Sequence, residues 1–121
     1  MNITEGNTES IRRIYSTDDF DDFFNELPDK VQEKFRQSFD IVKTVYVLNT
    51  KLVKKLTNTN LYEMRVSVGF NEYRTVLFAI DNENIILSTK VILLNGFLKK
   101  STKDYGKQIA KAEKALKDLS L

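Results

Sequence analysis

The spacing of apolar residues changes once along this chain, from a helical period to a strand period. Phe20, Phe23, Phe24 and Leu27 follow the i, i+3, i+4, i+7 spacing of one buried helix face. Ser16-Thr17-Asp18-Asp19 supplies N-cap chemistry ahead of them, and Pro28 ends that helix and suits the first turn of the next. Val31, Phe35, Phe39 and Val42 form a second stripe, so the spacing predicts a helical hairpin ending near Tyr46 with an aromatic core. A short strand is expected at Ile11–Tyr15, and Leu48–Asn60 reads as a polar connector. From Leu61 the period is two: Leu61–Val68 is a strand, Gly69-Phe70-Asn71-Glu72 a turn, and Tyr73–Ile80 a second strand. Asp81-Asn82-Glu83-Asn84 reads as a tight turn. Ile85–Phe97 is long for one strand, with a bulge or bend expected around Ser88-Thr89-Lys90. Asp104 opens a final helix with Ile109, Ala112, Ala115, Leu116 and Leu119 inward, and Lys103, Lys107, Lys111, Lys114 and Lys117 outward. Residues 1–10 lack periodicity and read as a disordered tail. The result is one α+β domain over residues 11–121, ordered β-α-α-β-β-β-α, with an antiparallel sheet, an N-terminal helical hairpin and a C-terminal helix.

Composition narrows the chemistry. The 121 residues contain neither Cys nor His, which removes disulfides, thiolate or imidazole metal sites and the commonest nucleophiles and bases. No apolar run approaches the ~20 residues of a membrane span, and the polar start MNITEGNTES is unlike a signal peptide, so a cytoplasmic protein without membrane contact is expected. The net charge of +2 hides an asymmetry: residues 1–40 carry ten Asp/Glu against five Lys/Arg, and the remainder seven against fourteen. Such polarity offers a basic side to a polyanion, although a solvated surface with ordinary scatter is the plainer reading.

Two arginines sit inside the predicted strands. Leu61, Glu63, Arg65 and Ser67 share one face of the first, while Tyr62, Met64, Val66 and Val68 share the other, which is the core face. Arg65 is thus expected on the face away from the helices. Arg74 shares a phase with the more apolar set Val76, Phe78 and Ile80, so it reaches Arg65 only from the strand end. The plainer alternative for each arginine taken alone is a paired surface residue, with Glu63 or Glu72 as partner; it weighs less for both together with Lys99-Lys100.

The segments LYEMR, GFNEYRTVLF and LLNGFLKKSTK, followed by an Ala/Lys helix, resemble the phage-derived, HigB-like branch of the RelE/ParE toxin superfamily. The resemblance runs from about Ile11 onward. It implies a small curved sheet with a helical hairpin (the RelE-like fold) and the toxin half of a type II toxin–antitoxin module. RelE- and HigB-like members cleave mRNA in the ribosomal decoding site, whereas ParE-like relatives poison gyrase. By this resemblance Arg65, Arg74, Lys99 and Lys100 are the catalytic candidates, with Lys54, Lys55, Tyr73 and Lys103 as RNA contacts. The implied partners are a helix-turn-helix antitoxin, the ribosome and mRNA, with no metal or other cofactor. Many relatives carry His where this chain has Asn95 and Pro where it has Tyr105, and the Asp81–Leu94 region carries several extra residues.

Cleavage through the 2′-hydroxyl needs an aligned nucleophile, charge stabilisation at the phosphorane and protonation of the leaving 5′-oxygen. Arginine binds phosphate in a fixed, bidentate plane, so Arg65 and Arg74 suit the second task. Lys99 or Lys100 is a candidate acid, and Glu63 and Tyr62 are weaker candidates for a base. Phe70, Tyr73 and Phe97 could stack on bases, core packing being the stronger expectation for Phe97. The alternative reading is a non-catalytic protein, either a ParE-like gyrase poison or a degenerate RNA-binding or interaction domain.

Overall fold

The computed structural model describes residues 10–120, so all but Ser10 of the expected N-terminal tail, and the terminal Leu121, lie outside it. The elements are β1 (Arg13–Ser16), α1 (Asp18–Asn25), α2 (Asp29–Thr44), β2 (Val53–Lys55), β3 (Leu61–Val68), β4 (Asn71–Ala79), β5 (Lys90–Leu98) and α3 (Thr102–Asp118). They form an α+β domain around one open five-stranded sheet of order β1-β5-β4-β3-β2. Strands β2 to β5 are antiparallel, and β1 adds a parallel edge, pairing Ile14 with Val91.

The helical hairpin starts where a side chain replaces missing backbone partners: Thr17 Oγ1 accepts from Phe20 N at 3.1 Å and donates to Leu94 O at 2.7 Å. Phe20, Phe35 and Phe39 are buried, with Phe23 and Phe24 half-buried against them. This aromatic block covers one face of the sheet, where Tyr62, Met64, Val66, Tyr73, Leu77 and Leu93 converge. Gly96 admits it, because a Cβ there would stand 2.4 Å from the Phe23 ring.

The opposite face is covered too, which departs from the expectation for Arg65. Leu61, Val76, Ile92, Leu94 and Phe97 pack under α3 through Ala112, Ile109, Ala115, Leu116 and Tyr105. A β-bulge makes that second core possible. Val76 pairs with Asn95 but Leu77 with Leu93, leaving Leu94 as the extra residue. Without it, alternation would send Asn95 to the hairpin face; with it, Asn95 and Phe97 turn toward α3 and Gly96 toward Phe23.

Of the bulge or bend expected near Ser88-Thr89-Lys90, a bend lies at Thr89, while the bulge lies further on at Leu94, and the strand is broken for a reason. Ile85–Thr89 belongs to a loop, not to a strand, because the Asp81 carboxylate gathers it: Ser88 Oγ, Thr89 Oγ1 and the Thr89 and Lys90 amides all donate to it. These hydrogen bonds hold the Asp81 carboxyl well below the usual carboxylate range. A depressed pKa stabilises above the unfolded value, near 3.9, and loses its effect as pH falls through the folded one. Asp81→Asn is therefore expected to speed amide exchange of Ser88–Lys90 at neutral pH. Wild type should match it only well below pH 4, and equal exchange rates at pH 7 would remove the carboxylate from the account.

Arg12, which sequence reasoning passed over, is 1 % exposed. Its five N–H groups all find carbonyls: Nε donates to Ile85 O, Nη1 to Val42 O and Val45 O, and Nη2 to Tyr46 O and Ile86 O, at 2.6–3.0 Å. One guanidinium thus ties the end of α2 to the loop before β5.

Candidate functional site

The ladder between β3 and β4 sets Arg65 directly opposite Arg74, on the face under α3. Like charges in that position repel. Glu63 resolves the conflict from two residues up the same strand, and the same face. Its Oε1 lies 2.9 Å from Arg65 Nε, which donates to it, and 3.4 Å from Arg74 Nε in a less well-aligned ion pair. Arg74 Nη1 also donates to Tyr73 O at 3.0 Å and to Glu72 Oε1 at 3.3 Å. The partners raised from sequence, Glu63 and Glu72, are therefore both engaged.

The two arginines differ in access. The Arg65 side chain is 36 % exposed and that of Arg74 only 7 %, while Glu63 is 1 % exposed. Tyr105, from the first turns of α3, closes the cluster by donating its hydroxyl to Glu63 Oε2. Burial, then the bond to Glu63 and that carboxylate's charge, push the Tyr105 phenol up to about 12, so it stays protonated as a donor at neutral pH. Lys99 Nζ stands 5.7 Å from the centre of the Tyr105 ring.

The predicted basic residues fall in two groups. Lys54 pairs with Glu63, so it lies on the cluster's face at the exposed edge of the sheet. Lys99 follows β5, its amide donating to Glu72 O at 2.8 Å beside Arg74, and Lys100 and Lys103 follow, all exposed. Exposed Lys54 and Lys99 thus flank an ion-paired centre. Lys55 instead pairs with Tyr62 and lies on the hairpin face. Tyr73 is buried on that same face, its ring 5.9 Å from Phe35, so it packs the core and offers no surface to a base. Tyr62 also serves the scaffold, donating to Glu83 O and accepting from Ile85 N. Phe97 packs edge-on against Tyr105, as expected of a core residue.

Two positions that depart from the toxin pattern both fasten α3 to the sheet. Asn95 Nδ2 donates to the carbonyl and to the side-chain oxygen of Gln108, each at 3.1 Å, and Tyr105 binds Glu63. Among the described residues, no three or more His, Cys, Asp or Glu side chains gather into a metal-binding group. None of the described helices is long and apolar enough to cross a membrane.

Chemically, the cluster is a fork of two guanidiniums closed on a buried carboxylate. A phosphodiester competing for Arg65 and Arg74 would find planar donors already aligned. A displaced Glu63 would be a carboxylate beside the bound anion, able to take a proton.

Residues 22–117 match the model of a family described as "Phage derived protein Gp49-like (DUF891)". The matched stretch contains the whole arginine–glutamate cluster and excludes β1 and Arg12. No curated protein and no solved structure matches the chain.

Proposed function

The chain belongs to the Gp49-like family of phage-derived proteins, and from that premise we propose that it is the toxin of a type II toxin–antitoxin module, cleaving mRNA on the ribosome. The family is associated with RelE-like toxins, and the resemblance carried by LYEMR, GFNEYRTVLF and LLNGFLKKSTK is what supports the HigB-like branch. The supporting observation is the cross-strand Arg65–Arg74 pair, an arrangement that is unfavourable without an anion between or beside its members. In the resting protein that anion is Glu63; in the reaction it is the scissile phosphate.

The 2′-oxygen attacks phosphorus, the P–O5′ bond breaks, and a cyclic phosphate and a 5′-hydroxyl result. Arg65 and Arg74 stabilise the charge that grows on the phosphorane. Glu63, once displaced, takes the 2′-hydroxyl proton. Lys99 or Lys100 gives the leaving 5′-oxygen its proton, and both steer the strand together with Lys54 and Lys103. The poor supply of acids and bases makes substrate alignment the larger contribution, and a ribosome supplies alignment. The antitoxin is a helix-turn-helix protein that docks on the helical hairpin and blocks ribosome entry by bulk, with masking of Arg65, Arg74 and Lys99 as the alternative.

A second reading has its own observation. Glu63 and Glu72 already neutralise both arginines, and α3 lies over them, which suits a degenerate toxin that binds without cutting. Primer extension on cellular mRNA after induced expression separates the two. New 5′ ends in translated messages, absent from a Glu63→Gln strain, are expected. Intact transcripts with halted DNA replication would point instead to a gyrase poison, and intact transcripts with normal growth to the degenerate form.

A further inference from the structure

Phe70 is 107 % exposed, more than any other large apolar side chain among the described residues. Single exposed apolar residues are common on surfaces and mean little alone. The position of this one carries the argument. Gly69 adopts φ +61° between the paired residues Val68 and Asn71, so Gly69-Phe70 is a two-residue turn with glycine first, the arrangement that matches strand twist in a tight hairpin. Phe70 therefore stands at the tip of the very ladder that sets Arg65 opposite Arg74. Inward from the ring come Glu72, bonded to the Lys99 amide, and then the arginine pair. Three residues of strand lie between Phe70 and Arg74, a span of about 13 Å. The ring, Glu72 with Lys99 beside it, and the arginine pair thus follow one another along β4.

We propose that Phe70 is a stacking platform for a nucleobase of single-stranded RNA, a short way along the strand from the phosphate held at Arg65. The inference rests on the RNA-cleaving reading of the cluster. Every base has a π face, so the platform fixes the register of the strand in the clamp without demanding one sequence. The tight turn holds the ring's backbone in place before RNA arrives.

The test is binding of a fluorescent six-nucleotide single-stranded RNA carrying 2′-O-methyl groups, which block attack by the 2′-oxygen. Phe70→Ala is expected to weaken binding about 5- to 100-fold, the range measured for loss of one stacked base. The dependence of affinity on salt should stay unchanged, because no phosphate contact is lost. Phe70→Trp should bind at least as tightly as wild type. An oligonucleotide lacking the stacked base should bind wild type as weakly as the intact one binds Phe70→Ala. Unchanged affinity in Phe70→Ala, with salt-sensitive binding retained, overturns the platform and leaves the clamp standing. Absence of salt-sensitive binding by wild type overturns both. Unchanged RNA affinity in Phe70→Ala with loss of growth arrest would assign the ring to a protein contact and also overturn the proposal.

Discussion

Arg65→Ala is expected to lower mRNA cleavage by about 10²- to 10³-fold, the usual cost of deleting one group that stabilises a charged transition state. Its folding stability should stay within about 1 kcal/mol of wild type, because the side chain is 36 % exposed and one cross-strand repulsion disappears with it. Arg74→Ala should lose activity equally but behave differently as a protein. It removes a 7 % exposed guanidinium from beside a buried carboxylate, and about 2–4 kcal/mol should go with it, softened by the contacts Glu63 keeps to Arg65 and Tyr105. Burial thus separates the two arginines. Arg65→Lys should not restore activity, since an ammonium cannot present a planar fork. Full activity in a folded Arg65→Ala protein would reduce the pair to a structural ion bridge.

The largest stability effect is expected away from the cluster, at Arg12. Its guanidinium uses all five donors on backbone carbonyls and has no carboxylate partner among the described residues. Burial lowers its pKa, and the carbonyls at the C-terminal end of α2 offset the cost of holding the charge there. Arg12→Met should orphan those carbonyls and cost about 3–5 kcal/mol. For a domain of this size that corresponds to a fall of about 10–20 °C in the melting temperature. Arg12→Lys, with three donors on a compact head, should recover less than half of the loss. A melting temperature unchanged in Arg12→Met would mean that water replaces the guanidinium without penalty.

The strand Leu61–Val68 was legible to the residue, because its hairpin-facing side chains are uniformly apolar and a tight turn follows. The phase of Arg74 was not, for a reason the sheet explains. Both faces are covered, so β4 and β5 read as nearly continuous apolar runs, and alternation no longer says which face is which. Ile85–Leu87 was read as strand on the same apolar grounds, whereas the bonds that gather this loop come from Asp81, several residues away. Arg12 left no signal because its partners are carbonyls, which every residue possesses. The arginine pair itself was visible, together with Glu63 as a partner. The covering of that pair by α3 was not, since it depends on Tyr105 and Asn95 meeting partners 42 and 13 residues distant.

The parallel pairing of β1 with β5 has a consequence for how the molecule is made. Ile14 waits for Val91, and the phenylalanines of α1 and α2 wait for the same strand, because Gly96 is where Phe23 docks. On a ribosome, Phe39 precedes Gly96 by roughly 60 residues, or about 3–12 s at ordinary synthesis rates. Throughout that interval an aromatic hairpin is present without its sheet. Contacts between sequence-distant segments also slow the search once the chain is complete. The strands that carry the arginine pair, β3 and β4, are made within that interval, whereas α3, their cover, follows Gly96. The cell therefore has several seconds in which this chain exists and its clamp does not.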